Sequence, residues 1–312
     1  MGAKARIVAA VPLSPADRAR LSEWDVAVVD FAAAGRAEIE AALADAAGLL
    51  VDSHAHVDEG MLEAAPALRV ISTVSVGFDH IPVRAAADRG VVVTHTPVLS
   101  DAVADLTLGL TVMVARRLGE AAADIGRGLW SNGLLGTDLK AKTLLVVGFG
   151  RIGREVAQRA LAFKMHVCAF DTRAGTPGMA RVEMVDTLAD GLARADVVSL
   201  HVDLNPSTRH LLDDDAFARM KPTAIVVNTS RGGVIDQGAL TRALAEGRLA
   251  GAGLDVLEVE PPAADEPLLS MRNVVVLPHI GSATIETRAA MRECAIDNLV
   301  ACLRGESCAN VL

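Results

Sequence analysis

The chain has 312 residues, which is enough for two domains of ordinary size. Its formal net charge of −9 argues against broad electrostatic attraction to nucleic acid or to an anionic membrane. No apolar run approaches the roughly twenty residues that cross a bilayer, and the 4 cysteines show neither metal-ligand spacing nor a disulfide framework. These features predict a cytoplasmic protein with no nucleic-acid or membrane partner.

The first third of the chain alternates strand and helix signals. The strand candidates are RIVAAV, VAVVDF, GLLVDS, LRVISTVSVG and VVVTHT, and helices are predicted between them over 15–21, 38–46, 59–65 and 83–87. Strands interleaved with helices in this way predict a parallel sheet covered on both faces. After this sheet, the apolar pattern LTLGLTVMVA predicts one long helix over 100–130, buried on nearly every side and involved in dimerisation.

The segment 143–171 has the pattern of a strand, a tight turn, a helix and a second strand. Gly148 permits the turn, Gly150 lets backbone N–H groups approach a pyrophosphate, and Gly153 brings the helix against the strand. Asp171 ends the second strand, at the spacing where a carboxylate accepts hydrogen bonds from ribose hydroxyls and repels a 2′-phosphate. The segment therefore predicts a dinucleotide site that favours NAD, while the basic Arg173 leaves NADP open.

Four further strand candidates, ADVVSLHV, AIVVNTS, GAGLDV and NVVVLPHI, complete a second doubly wound sheet. The last predicted helix, 284–303, is amphipathic and has no strand after it, so we expect it to return to the N-terminal domain. The sequence thus predicts an α/β protein in which 1–98 and 281–312 form a substrate domain and 99–280 form a dinucleotide-binding domain.

Three loops that follow predicted strands of the second sheet contain ionisable residues: NTSRGGVID with Arg231, LDVLEVEPP with Glu260, and VLPHIGSAT with His279. Ligands of such sheets bind at the carboxyl ends of the strands. Arg231 can place its planar guanidinium on a substrate carboxylate. His279 can donate a proton to a carbonyl oxygen, and the charge of Glu260 would stabilise the imidazolium. We therefore predict that these three residues are catalytic.

The motifs VGFGRIG, NTSRGG, LDVLEVEPP and PHIGSAT resemble, in the same order, those of the D-isomer-specific 2-hydroxyacid dehydrogenases. The resemblance runs over nearly the whole chain and is greatest to the glyoxylate/hydroxypyruvate reductases, including the bacterial type that also reduces 2-ketogluconate. It implies a Rossmann cofactor domain and a flavodoxin-like substrate domain, both doubly wound parallel sheets, which close around the substrate. It also implies a homodimer built through the cofactor domains and NAD(P)H-dependent reduction of small 2-keto acids to D-2-hydroxy acids.

The resemblance also implies roles for individual residues. The residues implied to contact substrate are Ser53, Val76, Gly77, Arg231 and His279, with Val76 and Gly77 offering backbone N–H groups to the substrate carboxylate. The residues implied to contact the cofactor are Thr107, Gly148, Gly150, Arg151, Ile152, Gly153, Asp171, Thr229, Ser230, Asp255 and Gly281.

Two segments near the implied substrate site differ from close relatives. In the first segment, four residues that could bind a hard metal ion stand at alternate positions and would share one face of a strand: Asp52, His54, His56 and Asp58. The family has the entrance to its substrate site at this place, so no metal is predicted. The stretch SNGLL after Trp130 is shorter than in close relatives, so their substrate choice does not transfer directly.

Two other functions stay open at this point. The first is a phosphite-type dehydrogenase on the same fold. The second is a dinucleotide-sensing binding protein that resembles the related transcriptional corepressors.

Overall fold

The computed structural model describes residues 4–130, 132–173, 178–308 and 310–312. These residues divide into two compact units, one formed by Met1–Leu99 and Ala283–Leu312 and the other by Ser100–Ser282. We call them the substrate unit and the cofactor unit. Among the described residues, no helix has both the length and the apolar character needed to cross a bilayer.

The substrate unit begins with five strands that alternate with four helices. In chain order these are β1 (Arg6–Ala9), α1 (Pro15–Arg20), β2 (Asp25–Val28), α2 (Arg36–Leu43), β3 (Ala46–Val51), α3 (Glu59–Glu63), β4 (Val70–Thr73), α4 (Val83–Asp88) and β5 (Val92–Thr94). The strands pair in parallel in the order β2-β1-β3-β4-β5. This is the flavodoxin-like order.

The cofactor unit contains a seven-stranded sheet. Its elements are α5 (Ser100–Ala115), α6 (Leu118–Gly126), β6 (Thr143–Val147), α7 (Arg151–Ala162), β7 (His166–Phe170), β8 (Val182–Met184), α8 (Leu188–Arg194), β9 (Val197–Leu200), α9 (Asp214–Arg219), β10 (Ile225–Asn228), α10 (Gln237–Ala245), β11 (Gly251–Leu254) and β12 (Val274–Val276), with short 3₁₀ turns at Gly232–Val234 and Pro267–Leu269. The strands are parallel in the order β12-β11-β10-β9-β6-β7-β8. The strand order reverses next to β6, as in dinucleotide-binding sheets, and the predicted pair of doubly wound sheets is confirmed.

The last helix, α11 (Ile285–Arg304), belongs to the substrate unit and packs on β3 and β4. Its Leu299 side chain lies so close to Gly48 in β3 that a Cβ there would be 3.0 Å from Leu299 Cδ1. Ser72 in β4 donates a hydrogen bond to the Ala295 carbonyl at 2.8 Å. The first and last segments of the chain therefore share one core.

The prediction of one long helix over 100–130 was wrong. The segment forms α5 and α6 because Arg117 adopts a left-handed backbone conformation with φ 56°, which ends one helix and begins the next. The Arg117 guanidinium binds the Glu120 carboxylate at 2.7 Å across the first turn of α6. Within one chain α5 is buried on one side, through Val103, Ala104, Thr107, Leu108, Leu110 and Thr111, while Asp105 is exposed and pairs with Arg159 of α7. Cover of the other side by a second subunit stays a prediction.

Candidate active site

The turn between β6 and α7 can be made only by glycine at two positions. Gly148 has φ +93°, and a Cβ there would lie 2.5 Å from the carbonyl oxygen of His201. A Cβ at Gly153 would overlap the carbonyl oxygen of Gly148. The turn therefore runs directly against the end of β9, and α7 packs directly against the turn.

The N-terminus of α7 is open to an anion. Gly150 is its N-cap residue and provides no capping side chain, so the backbone N–H groups of the first turn, including those of Arg151 and Ile152, keep their donor capacity. These donors and the positive end of the helix dipole suit a phosphate. The site therefore fits the pyrophosphate of a dinucleotide.

Asp171 lies at the end of β7, and its carboxylate is bound from two sides. The Phe149 N–H of the turn donates to Oδ2 at 2.8 Å, and the guanidinium of Arg173 donates to the same oxygen at 3.0 Å. Burial opposes ionisation, but the donors of Arg173 and Phe149 outweigh it and hold the pKa of Asp171 below its usual range. The carboxylate is therefore ionised and suits a ribose diol, while its ion pair with Arg173 offsets part of the charge that opposes a 2′-phosphate.

Two threonines predicted to contact the cofactor lie together at the end of β10. Thr107 of α5 and Thr229 at the end of β10 are both buried, and their hydroxyl oxygens are 2.9 Å apart. The Thr107 hydroxyl also donates to the Val103 carbonyl at 2.7 Å. This chain of bonds ties α5 to the carboxyl end of the sheet.

His279 and Glu260 form a direct pair. His279 Nδ1 lies 2.7 Å from Glu260 Oε2, and the Leu257 N–H donates to Oε1 at 3.0 Å. Burial raises the pKa of Glu260, but the bond to His279 and the other donors outweigh this effect and leave that pKa below its usual range. The carboxylate is therefore charged beside the imidazole. Because Glu260 occupies Nδ1, proton donation to a ligand falls to Nε2.

Asp255 fixes the loop that carries His279. Its two carboxylate oxygens accept the Ile280 N–H at 2.8 Å and the Gly281 N–H at 2.7 Å, and its backbone carbonyl accepts the His279 N–H at 2.9 Å. His279 is thereby held in a left-handed conformation with φ 55°, which is uncommon for a residue other than glycine. Asp255 is 1% exposed, and burial raises its pKa despite the two N–H donors. The predicted contact between Asp255 and the cofactor stays a prediction.

Asn228 holds the Arg231 loop, and the sequence analysis did not find it. Its Nδ2 donates to the Arg231 carbonyl at 2.9 Å, and its Oδ1 accepts the Ser230 N–H at 3.0 Å and the Ser230 hydroxyl at 2.9 Å. The next residue, Gly232, lies against the Leu257 carbonyl so closely that a Cβ would overlap it. The Arg231 and Glu260 loops are therefore adjacent.

His201 is a second residue that the sequence analysis missed. It follows β9 at the same edge of the sheet, and its carbonyl lies against Gly148. Its Nε2 is 2.8 Å from the Ser199 hydroxyl, and desolvation lowers the pKa of His201 to about 3, so the ring is neutral. The sequence analysis included His201 in the strand candidate ADVVSLHV, whereas β9 ends at Leu200, so the search for ionisable residues in loops after strands did not find it.

The remaining predicted contacts lie in the substrate unit. Ser53 follows β3, and Val76 and Gly77 follow β4. Their substrate contacts stay predictions. In the cofactor unit, Trp130 is 85% exposed, but Ser131, which begins the short stretch after it, lies outside the described residues.

The alternating acidic and histidine residues of the substrate unit have other partners. Asp58 caps α3 by accepting the Met61 N–H at 2.9 Å, and it forms an ion pair with Arg36. Asp52 accepts the His54 N–H at 2.9 Å. In the described parts of the chain, no group of three or more His, Cys, Asp or Glu side chains could hold a metal ion.

Comparison with known proteins links this geometry to one family. The sequence model for the NAD-binding domain of D-isomer specific 2-hydroxyacid dehydrogenases matches residues 108–281. A glyoxylate reductase of Thermofilum pendens is 46% identical over 262 residues, which is 80% of this chain and 76% of that protein. A glyoxylate/hydroxypyruvate reductase B of Pectobacterium carotovorum is 45% identical over 275 residues, 85% of each chain. A Thermus thermophilus crystal structure superposes with a TM-score of 0.92 at 42% identity and covers 98% of this chain and 99% of that chain.

Replacing Asp171 by Asn should weaken the preference for NADH over NADPH. The substitution keeps an oxygen for the Phe149 N–H but removes the charge that opposes a 2′-phosphate, so we expect the ratio of kcat/KM values to fall at least about tenfold, or about 1.4 kcal/mol. Initial rates with each cofactor give the ratio. Asp186→Asn, at an exposed position of the same unit, is the matched control. An unchanged ratio in a folded Asp171→Asn protein would contradict the assigned role.

Replacing Glu260 by Gln should lower the rate of reduction. In the predicted role of His279 as proton donor, the Glu260 carboxylate accepts from Nδ1 at 2.7 Å and leaves Nε2–H for the ligand, whereas a glutamine can turn its NH₂ group towards Nδ1, so kcat should fall by roughly 10²-fold. The measurement is kcat with saturating cofactor and substrate. Glu258→Gln is a matched control on the same loop, because Glu258 instead pairs with His210 at 2.7 Å. Equal kcat values in the two variants would refute the role of Glu260.

Proposed function

The chain belongs to the D-isomer-specific 2-hydroxyacid dehydrogenases, and from that membership we propose that it is a cytoplasmic reductase of small 2-keto acids. Glyoxylate and hydroxypyruvate are the proposed substrates, with 2-ketogluconate as a larger one, and D-2-hydroxy acids are the products. The observation that carries the proposal is that Arg231, the Glu260–His279 pair and the glycine turn all lie at the carboxyl ends of one parallel sheet. The four cysteines are free thiols, as suits a reducing compartment.

Each catalytic residue has one task in the proposed reaction. When bound, the nicotinamide cofactor supplies the hydride for the carbonyl carbon of the substrate. His279 donates a proton from Nε2 to the carbonyl oxygen, and Glu260 stabilises the imidazolium before that transfer. Arg231 orients the substrate carboxylate through its guanidinium fork. Val76 and Gly77 keep the role that the family resemblance gives them, as backbone donors to the same carboxylate.

The cofactor is held by the residues around the glycine turn. The first turn of α7 takes the pyrophosphate, and Asp171 takes the ribose hydroxyls. NAD is the preferred cofactor because the Asp171 charge faces that ribose. NADP is the weaker alternative, because Arg173 is already bound to Asp171.

We also propose a homodimer through the cofactor units. Its support is a run of exposed apolar side chains on and after α6: Leu118, Ile125, Leu129, Trp130 and Leu135, the last two 85% and 84% exposed. Scattered exposed apolar residues are ordinary, but a concentration of them in one segment is typical of an interface.

The proposed reaction predicts a steep loss of activity when His279 is replaced by Ala. The wild type should consume NADH with glyoxylate and hydroxypyruvate, and His279→Ala should lower kcat by roughly 10²- to 10⁴-fold because the proton donor is lost. Loss of NADH absorbance measures both. His166→Ala, at an exposed residue of β7, is the control. A variant within a few fold of wild type would rule out the mechanism, and a wild type silent on every 2-keto acid with either cofactor would favour phosphite oxidation or a binding role.

The proposed interface predicts a mass near twice the 32.4 kDa of one chain in sedimentation equilibrium. Ile125→Glu should shift the protein towards the monomer, because burying an unpaired carboxylate opposes association. Phe163→Glu introduces the same charge at a partly exposed residue after α7 and should leave the mass unchanged. A wild type that is monomeric at micromolar concentration would refute the dimer.

A further inference from the structure

The loop that follows β4 in the substrate unit has every carbonyl oxygen bound from within the same unit. We call residues 75–78 the 75–78 loop. The four acceptor bonds are Ser75 O from the Thr96 N–H at 2.9 Å, Val76 O from His95 Nδ1 at 3.0 Å, Gly77 O from the Ser75 hydroxyl at 2.6 Å, and Phe78 O from the Ile81 N–H at 3.0 Å. Two of these donors, the Ser75 hydroxyl and the Ile81 N–H, lie within the loop or shortly after it, and the other two, the His95 ring and the Thr96 N–H, come from the segment after β5.

Each of these bonds also fixes the direction of an N–H group. A trans peptide is planar, and its C=O and N–H point in opposite directions. The bond to Ser75 O therefore sets the direction of the Val76 N–H. The bond from His95 to Val76 O sets the direction of the Gly77 N–H, which points away from the His95 ring.

The His95 ring is held in one tautomer and one place. A carbonyl oxygen can only accept, so Nδ1 carries the proton in the bond to Val76. The ring meets the Phe78 ring edge-on, with centroids 6.4 Å apart and an interplanar angle of 81°. The His95 backbone is fixed as well, because its N–H donates to the Asn310 carbonyl at 3.1 Å and its carbonyl accepts Asn298 Nδ2 at 3.0 Å.

We propose that His95 is a positioning residue for the substrate carboxylate, acting through the peptide between Val76 and Gly77. By donating Nδ1–H to the Val76 carbonyl, it aims the Gly77 N–H at that carboxylate. The inference rests on the proposed function, in which Val76 and Gly77 donate to the carboxylate of a 2-keto acid. Glycine on one side of the peptide tolerates either orientation, so the backbone alone does not select the productive one.

The contact predicts an effect on substrate binding rather than on the chemical step. A carboxylate bond made equally in the ground state and in the transition state lowers KM without changing kcat. Loss of the His95 donor should therefore raise the KM for glyoxylate about tenfold, with kcat within about threefold of wild type and the KM for NADH unchanged.

The test compares His95→Leu with His95→Asn in the full-length protein. Leu removes the donor, whereas Asn carries an N–H donor at nearly the position of Nδ1 and should restore the wild-type KM for glyoxylate. Thermal melting of both variants is measured alongside, and His166→Leu controls for the loss of a histidine at an exposed position. The proposal expects a raised glyoxylate KM in His95→Leu, rescue by Asn and a constant NADH KM.

The contrary outcomes are distinct. If the wild type reduces glyoxylate and His95→Leu has the same glyoxylate KM, the proposed function stands and the role of His95 is wrong. A parallel rise of both KM values with a fall in melting temperature, or an Asn variant as impaired as the Leu variant, would show that His95 is only structural. If the wild type reduces no 2-keto acid, the proposed function fails and the inference fails with it.

Discussion

All strands of the cofactor unit run in the same direction, and the chemistry of the site depends on that constraint. Parallel strands end at the same edge of a sheet, so residues far apart in the sequence are brought to one edge without any direct sequence relation. Gly148 follows β6, Asp171 follows β7, and Thr229 follows β10. The loops after β11 and β12 add Glu260 and His279, whose side chains are in direct contact.

Irregular loops at this edge become rigid through buried polar side chains. Asn228 uses both ends of its amide to fix the Arg231 loop, and Asp255 uses both carboxylate oxygens to fix the His279 loop. Leaving such a buried group without a partner costs about 1–3 kcal/mol, so these bonds resist rearrangement. In the substrate unit, His95 holds the 75–78 loop in the same way. In both units, then, groups proposed to meet ligand are held in place by hydrogen bonds from neighbouring polar side chains.

The sequence predicted the features that local pattern encodes. β-branched runs, glycine spacing and the acid at Asp171 predicted the dinucleotide turn, and ionisable residues after predicted strands led to Glu260 and His279. The break at Arg117 was missed because Leu118 and the alanines after it resume a helix-forming pattern, and nothing in the residue type marks a left-handed arginine. Asn228 and His95 were missed for another reason. Their importance lies in hydrogen bonds to particular backbone groups, and such bonds leave no periodic trace in a sequence.

The placement of α11 has a consequence for how the protein is made. Translation completes the whole cofactor unit before α11 emerges from the ribosome, although α11 covers β3 and β4 near the start of the chain. Until then, the sheet face around Gly48 and Ser72 lacks the helix that shields it. Domains generally fold as units during synthesis, from the N-terminal end first. Here only part of the opening segment can follow that order: the buried residues between Val8 and Val93 form a core without α11, whereas the sheet face around Gly48 and Ser72 is covered only after the last helix has been made.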